Sequence, residues 1–216
     1  MPVRASVAIG LVGTALAVVL VGSLHVLYSG DVDPVRRTIS EYALRDLGWM
    51  FDTGVLALAA GSVAVLIALV RAGLVRWPSF AAVGMLVWAA GMVAVVVFEK
   101  TNWAVGPSVG GVIHRYASVV GFLSLPLAVL LVARRAFPDS PGWRLAARGF
   151  AGLALGVLSL LFFGVLRMAA GGGPWWLFVP LGLVERAMAL FAVAAIAVVM
   201  LGLTWAKSED AVPVAA

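Results

Sequence analysis

Residues 177–205 read LFVPLGLVERAMALFAVAAIAVVMLGLTW. A helix needs about 20 apolar residues to cross the hydrocarbon of a bilayer, and this stretch exceeds that length. Yet Glu185 and Arg186 stand side by side about two helical turns inside it. A charge at the centre of a bilayer costs about 2.5–3.5 kcal/mol on insertion scales, unless it faces a partner or water. Neighbours on a helix point about 100° apart, so these two cannot neutralise each other side by side. Each requires a partner from another helix or a wet cavity. On the sequence, Arg115, Lys100 or Arg167 could serve Glu185, and Glu41, Asp52 or Glu99 could serve Arg186. A buried ion network with a purely structural role is the competing reading.

The rest of the chain has the same character. Of its 216 residues 63% are apolar and 12% charged, against about 45–50% and 25% in soluble proteins. The mean hydropathy is +1.10. No water-soluble core of this size hides so much apolar surface, which excludes a soluble enzyme, a disordered chain and a nucleic-acid module. Six apolar runs fall at about 5–28, 50–70, 80–98, 112–132, 145–166 and 177–205. The first is too long for the roughly 7–15-residue core of a cleaved signal peptide, so it counts as a helix. The last is longer than one crossing needs, implying tilt or a start nearer Pro180. The expected fold is all-α: residues 1–216 form a single polytopic domain, a six-helix transmembrane bundle. Gly149, Gly152 and Gly156 share one helix face and suggest close helix packing. Pro126 predicts a kink or a local packing adjustment in the fourth helix.

The chain has no cysteine, which removes disulfides, thiolate metal sites and cysteine nucleophiles. Its two histidines are too few for the usual zinc sites. No metal and no cofactor is expected.

Basic residues set the orientation. With the N-terminus inside, the inner loops hold Arg4, Arg71, Arg76, Arg134, Arg135, Arg144, Arg148 and Lys207. The outer side holds Arg36, Arg37, Arg45, Lys100 and Arg167, with Arg115 and Arg186 inside apolar runs. Both termini are therefore expected in the cytoplasm, and the protein in the plasma membrane. The net charge of +5 fits inner loops facing anionic lipid. The acids distribute differently. Asp31, Asp33, Glu41, Asp46, Asp52, Glu99 and Glu185 fall outside; only Asp139, Glu209 and Asp210 fall inside. A site, if present, opens outward.

Two outer segments stand out. In the first, Asp33 followed by Pro34 is a helix start, with proline at the first helical position. Val35, Ile39, Tyr42, Ala43 and Leu47 then recur at helical spacing, predicting a short amphipathic helix between helices one and two. Arg37 and Glu41, four apart, could pair along it. Its two readings are a plain interfacial helix, or a lid pointing Arg36, Arg37, Ser40 and Glu41 into a cavity. The second segment carries Glu99, Lys100, Asn102 and Trp103, then His114 and Arg115 at the start of helix four. His25 and Asp52 lie at the same end of the bundle. Trp49, Trp103, Trp175 and Trp176 read as an interfacial aromatic belt.

The pattern Asp33-Pro34-x-x-x-Thr38-Ile39-Ser40-Glu41 before helix two, with Gly111-x-x-His114-Arg115 opening helix four, resembles the bacterial and archaeal membrane family called domain of unknown function 998. The resemblance spans nearly the whole chain and agrees with the six-helix layout. It implies that the first outer segment and His114 are shared features, and it implies no activity.

Three functions compete. The first is an outward-facing polar cavity binding a lipid-like or isoprenoid molecule with an anionic head. Arg186, Arg115, Arg36 and Arg37 would hold that head by forked hydrogen bonds, with Ser40, Asp52, Glu99 and Asn102 around it. If the molecule is converted, Glu185, His114 or Glu41 would be the acid or base, on a route such as isoprenoid cyclisation or lipid hydrolysis. The second is a small transporter or flippase, which the apolar inner half of helix six argues against. The third is a non-catalytic assembly partner. Membrane lipids are the expected surroundings in each case, nucleic acid is not expected, and the sequence leaves the oligomeric state open.

Overall fold

A run of apolar residues commits the backbone to helix inside a bilayer, because every amide and carbonyl must be satisfied within the segment. In the computed structural model, which describes residues 2–209, the chain forms α1 (Val3–Leu27), α2 (Gly48–Arg71), α3 (Phe80–Val97), α4 (Val109–Ala136), α5 (Pro141–Ala169), the single turn α6 (Trp175–Phe178) and α7 (Leu181–Glu209). Six of these are long and apolar enough to span a membrane, and no strand occurs among the described residues. The protein is an all-helical, multi-pass membrane protein. Asp210 lies outside the described residues, as do the side chains of Lys207 and Glu209.

The ends of the spans have local causes. The Ser79 hydroxyl accepts from the Ala82 amide at 3.3 Å at the start of α3, and Ser108 accepts from Gly111 at 3.0 Å at the start of α4. These are N-caps. The sixth run breaks in two, as its excess length suggested. Val179 is extended before Pro180, as a residue preceding proline tends to be, and α7 starts afresh at Leu181. At Pro126, by contrast, α4 continues without a break.

The helices pair as α1 with α2, α3 with α4 and α5 with α7, and α2–α3 and α4–α5 contacts join the pairs. Between α1 and α2 the backbones meet at glycine. A Cβ on Gly13 would lie 2.5 Å from the Ala57 carbonyl oxygen, and one on Gly61 would lie 3.1 Å from that of Gly10. The sequence reading had placed close packing instead at Gly149, Gly152 and Gly156. That is corrected: these three face outward from α5 with nothing within 4 Å of an added Cβ. Spacing marks a smooth face; it does not say which side of the helix meets a neighbour.

The middle of the bundle is filled. Leu58, Val65, Leu69, Trp88, Leu125, Val129, Ile196 and Met200 are all buried. The Trp88 indole N–H donates to Ser62 at 3.0 Å, and the Ser62 hydroxyl donates to the Leu58 carbonyl at 2.8 Å. A void among Val65, Leu69, Met85, Val129 and Ile196 measures only ≈ 10 Å³, about one water.

Polar residues therefore collect at the two ends. One end carries Arg4, Arg71, Arg76, Arg134, Arg135, Arg144 and Arg148; Arg144 donates to the Phe137 and Pro138 carbonyls, closing the end of α4. The other, called the polar end below, gathers the α1–α2, α3–α4 and α5–α7 connections.

Gly13→Ala is expected to lower the thermal unfolding midpoint in detergent, by the equivalent of about 1–3 kcal/mol from overpacking. Gly54→Ala, whose Cβ would sit 3.5 Å from its neighbours, is expected to hold or raise it, since alanine is favoured over glycine in a helix by about 1 kcal/mol.

Candidate functional site

The α1–α2 connection departs from the amphipathic helix predicted for it. Asp33 does cap a turn: its carboxylate accepts from the Val35 amide at 2.8 Å and the Arg36 amide at 3.3 Å. That turn ends at once, Thr38 is extended, and a six-residue 3₁₀ helix follows at Ile39–Leu44. A tertiary contact overrides the helical pattern. The loop backbone lies across Gly182, where a Cβ would come within 2.7 Å of the Pro34 carbonyl oxygen and 2.9 Å of the Arg37 amide. Backbone groups that a helix would have used internally go to α7 instead. Val35 O accepts from the Leu183 amide at 3.1 Å. Pro34 O and Arg37 O accept from Arg186 Nη1 at 2.9 and 2.6 Å. The Ile39 amide donates to Glu185 Oε2 at 2.8 Å.

Arg186 is the hub. Besides the two loop carbonyls, Nη1 donates to Gly182 O at 3.0 Å, Nη2 to the Tyr42 hydroxyl at 3.2 Å, and Nε to His25 Nε2 at 2.8 Å. A guanidinium has five donors and no acceptor, and all three of its nitrogens find partners in this network, the two Nη1 hydrogens being shared among three carbonyls. It also settles the state of His25. Nε2 accepts from Arg186, so Nδ1 carries the hydrogen and donates to the Val21 carbonyl at 2.8 Å. Tyr42 is buried, edge-on to the His25 ring at 5.0 Å and stacked on Tyr28 at 6.1 Å. The acidic partners expected for Arg186 on the sequence, Glu41, Asp52 and Glu99, are not used. Glu185 likewise binds neither Arg115 nor Arg167. Carbonyls, an imidazole nitrogen and a phenol satisfy the guanidinium, so it does not need an acid as hydrogen-bond partner.

Beside this hub sits a second cluster. Lys100 forms an ion pair with Glu41 and donates to Thr38 Oγ1 at 2.8 Å. Thr38 and the buried Ser40 share a hydroxyl–hydroxyl hydrogen bond of 3.1 Å. Ser40 therefore lies in the wall of the site with its oxygen partnered. His114 is 5% exposed, and its Nδ1 faces the Val95 and Phe98 carbonyls at 3.0 and 2.9 Å. It closes the C-terminus of α3 directly before Lys100. Gly111 serves the same turn, because a Cβ there would overlap Thr101.

The remaining predicted residues divide. Arg37 and Glu41 line a cleft of ≈ 280 Å³ with Leu44, Arg45, Asn102, Trp103 and Ala104. Asn102 Oδ1 accepts from the Ala104 amide at 3.0 Å. Arg36 is exposed and reaches the Leu177 carbonyl at 3.1 Å. Arg115 is exposed, one residue past the buried His114 and so on another face of α4. Asp52, half-buried, sits near the exposed Glu99 instead of Arg186. The roles of Tyr42, Gly182 and Arg45 escaped the sequence reading. Only Arg45 had a usable signal, as a cation in the same outer segment. The cysteine-free chain allows a direct test of the hub. With the buried Val32→Cys as a reporter, Arg186→Gln is expected to speed maleimide labelling at least about tenfold, since losing one hydrogen bond to a charged group costs about 1.5–3 kcal/mol.

No curated protein and no solved structure matches this chain significantly. A family model does, over residues 11–202, a range that takes in the docked loop, Lys100, His114 and the Glu185–Arg186 pair. The chain belongs to the family described as protein of unknown function (DUF998).

Proposed function

We propose that this protein binds the anionic head group of a lipid-like or isoprenoid molecule in the cleft at the polar end, which faces outward from the plasma membrane with both termini in the cytoplasm. One observation carries the reading. Arg37 and Arg45 line the same cleft, and neither guanidinium makes a hydrogen bond among the described residues. Such forks match the oxygens of a carboxylate or phosphate. Glu41 does not cancel them, because Lys100 already pairs with it. The Asn102 amide and the Trp103 indole add polar and aromatic contacts at the rim.

The size of the cleft supports a head group more than a whole lipid, since pockets that enclose drug-sized ligands run from about 300 to 1,000 Å³. The tail would lie along the outside of the bundle in the bilayer, the interior being packed. Glu41 is the carboxylate lining the cleft and the group placed for any proton transfer there. Glu185 and His114 act on backbone, which gives them the structural part that the ion-network reading assigned to the buried charges.

Native mass spectrometry of protein extracted gently from its own membrane tests this. A discrete bound mass is expected on the wild type, with occupancy at least about tenfold lower in Arg37→Gln and Arg45→Gln, as loss of one charged hydrogen bond implies. No retained mass beyond bulk lipid in any of the three would favour a non-catalytic assembly role. For orientation, Val105→Cys should react with a membrane-impermeant maleimide on intact cells, and Arg76→Cys only after lysis. The opposite pattern would invert the protein in the membrane.

A further inference from the structure

The contacts that dock the α1–α2 loop onto α7 are nearly all insensitive to pH. Arg186 stays charged throughout the accessible range, and the Pro34, Arg37 and Gly182 carbonyls do not titrate. His25 and Glu185 are the exceptions: the Glu185 carboxylate accepts from the Ile39 amide, and His25 is the one that touches Arg186. It is half-buried at the last turn of α1, and it holds Arg186 Nε through a lone pair on Nε2 at 2.8 Å. Its other nitrogen is committed to the Val21 carbonyl, so the ring has no second acceptor to offer. An imidazolium carries hydrogen on both nitrogens. Protonation would turn Nε2 from acceptor into donor and set two cations against each other at hydrogen-bond distance.

The surroundings offer little to offset this. From α7 the ring meets Arg186, with Glu185 beside it; Glu185 Oε2 accepts from Ile39. From the 3₁₀ segment it meets Tyr42, and from its own helix Tyr28 stacks behind Tyr42. On α2 the ionisable group at this end is Asp52, which makes no hydrogen bond to the ring. Glu41 is held by Lys100, and the Arg37 and Arg45 side chains line the cleft beyond.

We infer that His25 and Arg186 form a proton-sensitive latch: neutral His25 holds the loop of residues 32–44 against α7, and acid on the polar side releases it. The direction follows from the chemistry. Docking requires the neutral ring, so the latch is held while His25 is neutral and opens when acid protonates it. Release would free the Pro34 and Arg37 carbonyls and shift the segment that carries Arg37 and Glu41. The inference concerns the loop alone and holds whatever the cleft binds.

A nitroxide on Val35→Cys, in the otherwise cysteine-free full chain in lipid nanodiscs, reads this without ligand. Val35 is 44% exposed and can accept the label. On acidification from about pH 7.5 to about pH 5, the mobile spectral component is expected to grow reversibly at the expense of the immobile one. His25→Gln, whose amide oxygen can still accept from Arg186, is expected to stay immobile at both pH values; His25→Asn serves if that variant does not fold. An unchanged wild-type spectrum overturns the latch. So does a transition that survives in the histidine variant, and Glu185→Gln then shows whether that carboxyl is the titrating group. Because no ligand is present, neither result depends on the head-group reading.

Discussion

An arginine inside an apolar span has to be satisfied, and in this protein one guanidinium satisfies itself on backbone. Arg186 gathers the Pro34, Arg37 and Gly182 carbonyls, the Tyr42 hydroxyl and His25 Nε2. A charge that would be costly in hydrocarbon becomes the point to which α1, α7 and the α1–α2 connection are tied. Because its hydrogen-bond partners are neutral acceptors, its satisfaction does not depend on a buried acid. Glu185, on the next side of the helix, does the complementary work by accepting from the Ile39 amide. One donor-rich and one acceptor-only side chain thus read opposite polarities of the same loop.

The rest of the polar end follows from that docking. Once Ile39 is fixed against Glu185, the 3₁₀ turn places Ser40 inward and Glu41 toward Lys100. Lys100 in turn stands where it does because His114 and Gly111 shape the end of α3. The Asp-Pro-x-x-x-Thr-Ile-Ser-Glu and Gly-x-x-His elements, far apart in the chain, therefore meet through Lys100 and Glu185. Most of their side chains are occupied in holding one another. Arg37 and Arg45, whose side chains make no hydrogen bond among the described residues, stand at the edge of this arrangement and line the cleft.

The polar side chains gather at the ends of the bundle rather than its centre. The middle is close-packed, with glycine contacts bringing α1 against α2 and a void no larger than a water. A polar route through to the other end would need breaks in that packing. The charged groups instead gather at one end above an apolar support, where the proposed head-group cleft lies.

The sequence by itself determined the solvent, the number of spans and the end at which chemistry is concentrated. Those follow from run length, from composition and from the cost of charge in hydrocarbon, all properties of a segment taken alone. It also singled out Glu185 and Arg186, since two charges within an apolar run have no local explanation. Only the tertiary structure decided what they bind. Hydrogen bonds from a side chain to a distant backbone leave no residue-type signature, so Pro34, Arg37 and Ile39 were invisible as partners, and the acids nominated for Arg186 were wrong. The same reason turned a helical pattern at 33–47 into a turn and a 3₁₀ segment: α7 offers those amides and carbonyls better partners than a helix would. Glycine spacing failed similarly, because whether a smooth face meets a neighbour or lipid depends on how the helix is rotated in the bundle, which no single helix records.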